Sequence, residues 1–162
     1  MRLQFAGSKV GLLFLLLSVV VFVLLLLPPS VSAEWRFMIM TAFSSVCHQI
    51  PERSFHVAET SLAVCHRCTG IYAGIPMAMM GIMITKGWRI TKNTWASLLF
   101  GSLFLLGLDW GLTVLGFWEN TMLSRLTTGL LFGLAAGAFL AVVVQKQGRN
   151  PDVESPDHNF VL

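Results

Sequence analysis

Val10-Gly11-Leu12-Leu13-Phe14-Leu15-Leu16-Leu17-Ser18-Val19-Val20-Val21-Phe22-Val23-Leu24-Leu25-Leu26-Leu27 is a run of 18 residues without one ionisable side chain. A helix crosses the hydrocarbon core of a bilayer with about 20 mostly apolar residues, and about 17 suffice. The charge-free interval continues to Ala33, and three more follow: Thr69 to Thr85, Asn93 to Leu108 and Leu126 to Gln145. The third reaches spanning length by running past Asp109 to Phe117. These segments are continuously apolar rather than alternating, which argues against membrane strands. The pattern predicts an all-α polytopic membrane protein. Its bundle of about four transmembrane helices covers residues 10–27, 64–85, 95–116 and 126–144.

Composition points the same way. The 162 residues are 55% hydrophobic and 12% charged, about half the roughly 25% charge of a soluble domain. That leaves too little polar surface to cover a soluble core. Disordered chains are apolar-poor and charge-rich, so disorder is excluded for the body of the protein. The net charge is only +3 and no Lys/Arg stripe is present, so no nucleic-acid partner is expected. Membrane lipid is the expected surrounding. A four-span chain would have to form a homo-oligomer to enclose a transport pathway.

Lys and Arg in the short flanks set the orientation. With both termini cytoplasmic, the inner side holds Arg2, Lys9, Lys86, Arg89, Lys92, Lys146 and Arg149, and the outer side holds Arg36, Arg53, Arg67 and Arg125. Residues 1–33 read as an uncleaved signal anchor. They also read as a signal peptide, since Val31-Ser32-Ala33 resembles a cleavage site, in which case three spans remain. Residues 34–146 form the membrane helical domain, whose segment 34–68 lies outside. The polar tail 147–162, with Pro151 and Pro156, is expected to be disordered and cytoplasmic.

The chemistry is concentrated in Cys47-His48-Gln49-Ile50-Pro51-Glu52-Arg53-Ser54-Phe55 and Cys65-His66-Arg67-Cys68-Thr69-Gly70-Ile71-Tyr72-Ala73-Gly74. All three cysteines and three of the four histidines fall between Cys47 and Cys68. The Cys-His-Gln block and the Cys-x-Arg-Cys-x-Gly-Ile-Tyr-x-Gly block resemble a family of small prokaryotic membrane proteins known as domain of unknown function 2085. A weaker likeness extends through Asp109-Trp110 and Arg125…Thr128-Gly129. The resemblance implies a helical membrane domain of the prokaryotic cytoplasmic membrane, and it supplies no substrate.

The residues themselves leave three readings of the thiols open. If the second helix begins a few residues before Thr69, Cys65, Cys68 and Tyr72 share its face. Cys-x-x-Cys at a helix start, with a Cys and a His upstream, offers the ligand types of a zinc or other soft-metal site. Cys47, His48, Cys65 and Cys68 are the candidate ligands. Adjacent Cys47 and His48 point about 100° apart on a regular helix, so both could ligate one ion only from irregular backbone, which Pro51 makes plausible. Outside the cytoplasm Cys65 and Cys68 could instead be a redox pair. The third reading is inert packing.

Asp109 is the one charge deep within a predicted span, about 12 Å below the outer end at 1.5 Å per residue. An intramembrane carboxylate must face protein and have a partner. Arg53, Arg67 and Arg125 reach the same interface. With Asp109 they are the candidate catalytic or ligand-binding groups, suited to a lipid phosphate or carrier-lipid headgroup, with the small-molecule or lipid substrate itself unspecified. The alternatives are a structural Asp–Arg pair and ordinary snorkelling. Gly70/Gly74, Gly107/Gly111 and Gly129/Gly133/Gly137 repeat at the spacing of close helix packing. Trp110, next to Asp109, is expected to line the pocket.

Overall fold

A computed structural model describes residues 8–57, 59–84, 92–117 and 119–147. Arg2, Lys86, Arg89, Arg149 and the tail after Gln147 lie outside the described residues. The order is α1 (Ser8–Leu26), a 3₁₀ turn (Pro28–Ser30), α2 (Ala33–Ser44), a second 3₁₀ turn (Pro51–Arg53), β1 (Ser54–Val57), β2 (Thr60–Cys65), α3 (His66–Ile84), α4 (Lys92–Val114) and α5 (Met122–Gln147). Four of these helices, α1, α3, α4 and α5, are long and apolar enough to cross a membrane.

α1 is apolar all round, and most of its Leu and Val side chains are exposed. A helix uniformly hydrophobic on its surface requires lipid around it. It stops before Pro28 and Pro29, which disfavour helical backbone before them and lack amide donors. Its end is fixed by packing: Leu25 is fully buried against Cys47, Ala63 and Val64. α2 has no buried residue and at 12 residues is too short to span, as expected for a segment lying along the surface.

The centre of the bundle is the parallel pair α3 and α5, locked by glycines. A Cβ on Gly74 would lie 2.7 Å from the Leu134 amide nitrogen, and one on Gly133 2.9 Å from Ile71 Cα. Gly129 and Gly137 meet the backbones of Arg67 and Ile75 in the same register. Without a hydrophobic force between helices in lipid, such backbone-to-backbone approach supplies the association through van der Waals contact. Met79, Ile82, Trp95, Ala138 and Ala141 form the core toward the other end. α3 continues through Pro76.

α4 packs on α5 but leaves much of its surface open. A Cβ placed on Gly107 or Gly111 would meet nothing within 4 Å, so the expectation that this pair packs against another helix of the chain is not met. Trp110 is 59% exposed and points away from the interior rather than lining a pocket. α4 ends sooner than Phe117. Gly116, at φ 75, closes it as Gly116 N–H donates to the Thr113 carbonyl and Phe117 N–H to Leu112, the glycine-closed helix end that αL backbone permits. Asp109 therefore lies five residues, about 8 Å, from that end.

A short antiparallel hairpin is the other departure from the expected helices. β1 and β2 pair Ser54 with Cys65, His56 with Ser61 and Val57 with Thr60. Pairing keeps the backbone extended through Cys65, so α3 begins at His66 and Cys65 is not in its first turn. The hairpin sits where α1 ends and α3 and α5 begin.

Candidate functional site

Each thiol comes from a different element. Cys47 follows α2, where its N–H donates to the Phe43 carbonyl at 3.0 Å. Cys65 closes β2, and Cys68 lies in the first turn of α3. All three are free, and their sulfurs lie within 4.8 Å of one another. The Cys65 backbone N–H donates to Cys47 Sγ at 3.3 Å. Hydrogen bonding from Cys47, and then from Cys68, holds the Cys65 thiol well below the ordinary thiol range against the opposing effect of burial. One shared negative charge in the cluster is thereby favoured, and thiolate is the form that binds metal or attacks a disulfide.

The shell around the sulfurs is apolar and aromatic. Leu25, Ala63 and Val64 close it, with Phe43 and Tyr72 packed beside it and their rings edge-to-face at 6.0 Å. His48 is exposed and is not among the ligand atoms of the group.

Gln49 bridges two of the elements around the thiols, a contact its place in the Cys-His-Gln block does not reveal. It adopts φ 50, unusual for a residue with a side chain. From there its Nε2 donates to the Met40 carbonyl at 2.7 Å and the Ala63 carbonyl at 2.8 Å. One amide thus ties α2 to β2 and fixes the loop that carries Cys47.

A second group lies beside the thiols. Arg67 Nη2 donates to Asp109 Oδ2 in an ion pair whose side chains are 18% and 10% exposed. Of the three arginines that the sequence offers Asp109, Arg67 is its ion-pair partner. Asn120 folds back from the α4–α5 loop, and its Nδ2 donates to Asp109 Oδ2 at 2.9 Å and to the Asp109 carbonyl at 3.0 Å. Thr113 donates to that carbonyl rather than to the carboxylate. Arg125 lies one turn before Gly129, which packs on the Arg67 backbone, and Arg53 immediately precedes the Ser54–Cys65 pair, so the four candidates lie at one end of the bundle. His66, 6% exposed, lies edge-on to Phe55 with ring centroids 4.4 Å apart. Its Nδ1, Arg67 Nε and Asn120 Oδ1 are buried without a hydrogen-bond partner among the described residues. His66 and Asn120 carry no sequence signal beyond their position.

Residues 47–139 match the family described as "Predicted membrane protein (DUF2085)". The chain belongs to that family. The matched stretch of this DUF2085 protein contains all three cysteines, Asp109 and Arg125. It is similar to an uncharacterised protein of Methanocaldococcus jannaschii, 31% identical over 104 residues, covering 61% of this chain and 65% of the relative. An uncharacterised protein of Methanothermobacter thermautotrophicus is 29% identical over 108 residues, covering 65% of this chain and 94% of the relative. No solved structure matches the chain.

Proposed function

We propose that this membrane protein carries a soft-metal centre, zinc being the first candidate, on the extracytoplasmic side, with Cys47, Cys65 and Cys68 as thiolate ligands. The observation that carries the reading is the meeting of three free sulfurs, from a loop, a strand end and a helix start, within 4.8 Å. A tetrahedral zinc with Zn–S near 2.3 Å needs sulfurs about 3.8 Å apart, a contraction that side-chain rotation can supply. The donor set fits the metal. Thiolates are the ligands that soft ions select, and the Cys65 N–H on Cys47 is the kind of outer contact that orients such a ligand.

Three protein ligands leave a fourth position for water, substrate or His48, which would have to turn inward from its exposed site. The outside assignment rests on the excess of Lys and Arg in the flanks opposite the hairpin. Inert packing explains small buried cysteines singly, but not three sulfurs gathered from separated elements by a dedicated glutamine clamp.

Metal analysis of the detergent-purified full chain tests this. About one equivalent of metal per chain, lost in Cys65→Ser/Cys68→Ser with the helical content intact, is the expected result. Metal-free protein with a reducible Cys65–Cys68 disulfide would replace the metal reading with thiol exchange.

A further inference from the structure

Below the Arg67–Asp109 pair the bundle is not closed. α4 leans on α5 and hardly meets α3, and a cavity of about 780 Å³ lies in the gap, within the range of about 300–1,000 Å³ that small-ligand sites occupy. Its walls are apolar side chains and small residues, Gly81 of α3 and Ala135 of α5 among them. On α4 it is lined by Trp95, Ser97, Leu98, Gly101, Ser102 and Leu105. These positions recur at three- and four-residue steps, so they form one helix face. The next residue on that face is Asp109. The groove therefore ends about 6 Å below Asp109 along α4, at Leu105, directly beneath the charged cluster.

The charged end has an excess of cation. Arg125 lies one turn before Gly129, which packs on the Arg67 backbone, and Arg53 precedes the Ser54–Cys65 pair at the start of α3, so three arginines gather there against Asp109, already bonded to Arg67, and the Cys65 thiol. Arg67 Nε and the Nδ1 of deeply buried His66 remain without partners among the described residues. The amide-rich starts of α3 and α5, at His66 and Met122, lie at this same end of the bundle and add positive potential. Guanidinium forks match phosphate oxygens two at a time. An occupant must be anionic at the top and hydrocarbon below.

We propose that the arginine cluster and the groove form one site for a membrane lipid, its phosphate among Arg53, Arg67 and Arg125 and an acyl chain in the groove between α3, α4 and α5. The site adjoins the thiols but takes none of them as a ligand. It gives the open wall of α4 an occupant and the surplus cations a counter-charge.

Native mass spectrometry of the delipidated full chain in detergent tests it, with dioleoyl phosphatidic acid, dioleoylglycerol and inorganic phosphate as probes. One phosphatidic acid per chain should be retained, with dioleoylglycerol, which has the same chains and no phosphate, at least about tenfold weaker. Arg53 is exposed and a Leu at position 101 would extend into open space, so neither variant threatens the fold. Arg53→Gln and Gly101→Leu should each reduce phosphatidic acid occupancy about tenfold at unchanged thermal midpoint. Equal retention of the two lipids would overturn headgroup recognition. Full competition by inorganic phosphate, with no effect of Gly101→Leu, would mean a free-anion site and overturn the lipid. A Gly101→Cys variant that crosslinks to its own kind in membranes would show that a second copy fills the groove, and would overturn the proposal.

Discussion

Replacing Asp109 with Ala removes the carboxylate on which Arg67 Nη2 and Asn120 Nδ2 converge. Stripping one member from a buried pair typically costs about 3–5 kcal/mol, because the other charge is left desolvated. Here the cost should fall at the low end, about 3 kcal/mol. Arg67 retains 18% exposure and its long stem lets the guanidinium swing toward the interface. Asn120 keeps its bond to the Asp109 backbone carbonyl, which the substitution does not touch. Arg67→Met alone leaves Asp109 with the Asn120 amide, at a cost of about 2 kcal/mol. The double variant has no orphan charge and should lose about 3 kcal/mol or less, well short of the sum. Reversible unfolding of lipid-free protein in mixed micelles, titrated with dodecyl sulfate and followed by helical circular dichroism, gives all four corners of the cycle. Asp109→Asn, which retains an acceptor for Asn120, isolates the charge. A double variant additive within about 0.5 kcal/mol would refute coupling between the two groups.

Three shorter predictions test other joints of the structure. Gln49→Ala removes both donors that hold the Cys47 loop to α2 and β2, and is expected to weaken metal binding about 10- to 100-fold, as loss of an orienting contact does; competition with a chromogenic zinc chelator measures it. Gly133→Leu drives a side chain into the Ile71 backbone and should destabilise the α3–α5 pair by about 1–3 kcal/mol in the same micelle titration, whereas Gly107→Leu, facing open space, should stay within about 0.5 kcal/mol of the parent. Leu25 is fully buried against the Cys47 shell and Pro28 is buried too, so retention of α1 as an uncleaved anchor is the expected outcome. The intact mass of the membrane-extracted protein should include residues 1–33, and a mass starting at Glu34 would contradict this.

The helices are legible in the sequence because lipid imposes a simple rule. Charge-free intervals place spans at 10–27, 64–85, 95–116 and 126–144, against helices at Ser8–Leu26, His66–Ile84, Lys92–Val114 and Met122–Gln147. The glycine repeats of α3 and α5 are equally readable, since only glycine permits that approach, but Gly107 and Gly111 carry the same spacing on a face that meets no helix among the described residues. Spacing reports the capacity to pack and not the partner.

The hairpin is hidden for a different reason. Its turn is carried by Glu59 at φ 65 and the Cys47 loop by Gln49 at φ 50, where glycine or asparagine would have marked the turns. Three consecutive buried residues in β2, Leu62 to Val64, also break the alternation of a half-buried strand. The thiol cluster follows from Cys-x-x-Cys chemistry, yet the helix expected to carry it starts too early. The choice of Arg67 for Asp109 is not readable either, because it depends on the α3–α5 register that sets Arg67 against Gly129.

Everything proposed for the thiols stands or falls on metal content per chain, measured on the intact protein and on Cys65→Ser/Cys68→Ser purified alongside it. About one soft-metal equivalent is expected in the parent and none in the variant. A metal-free parent whose Cys65 and Cys68 form a disulfide would contradict the metal centre.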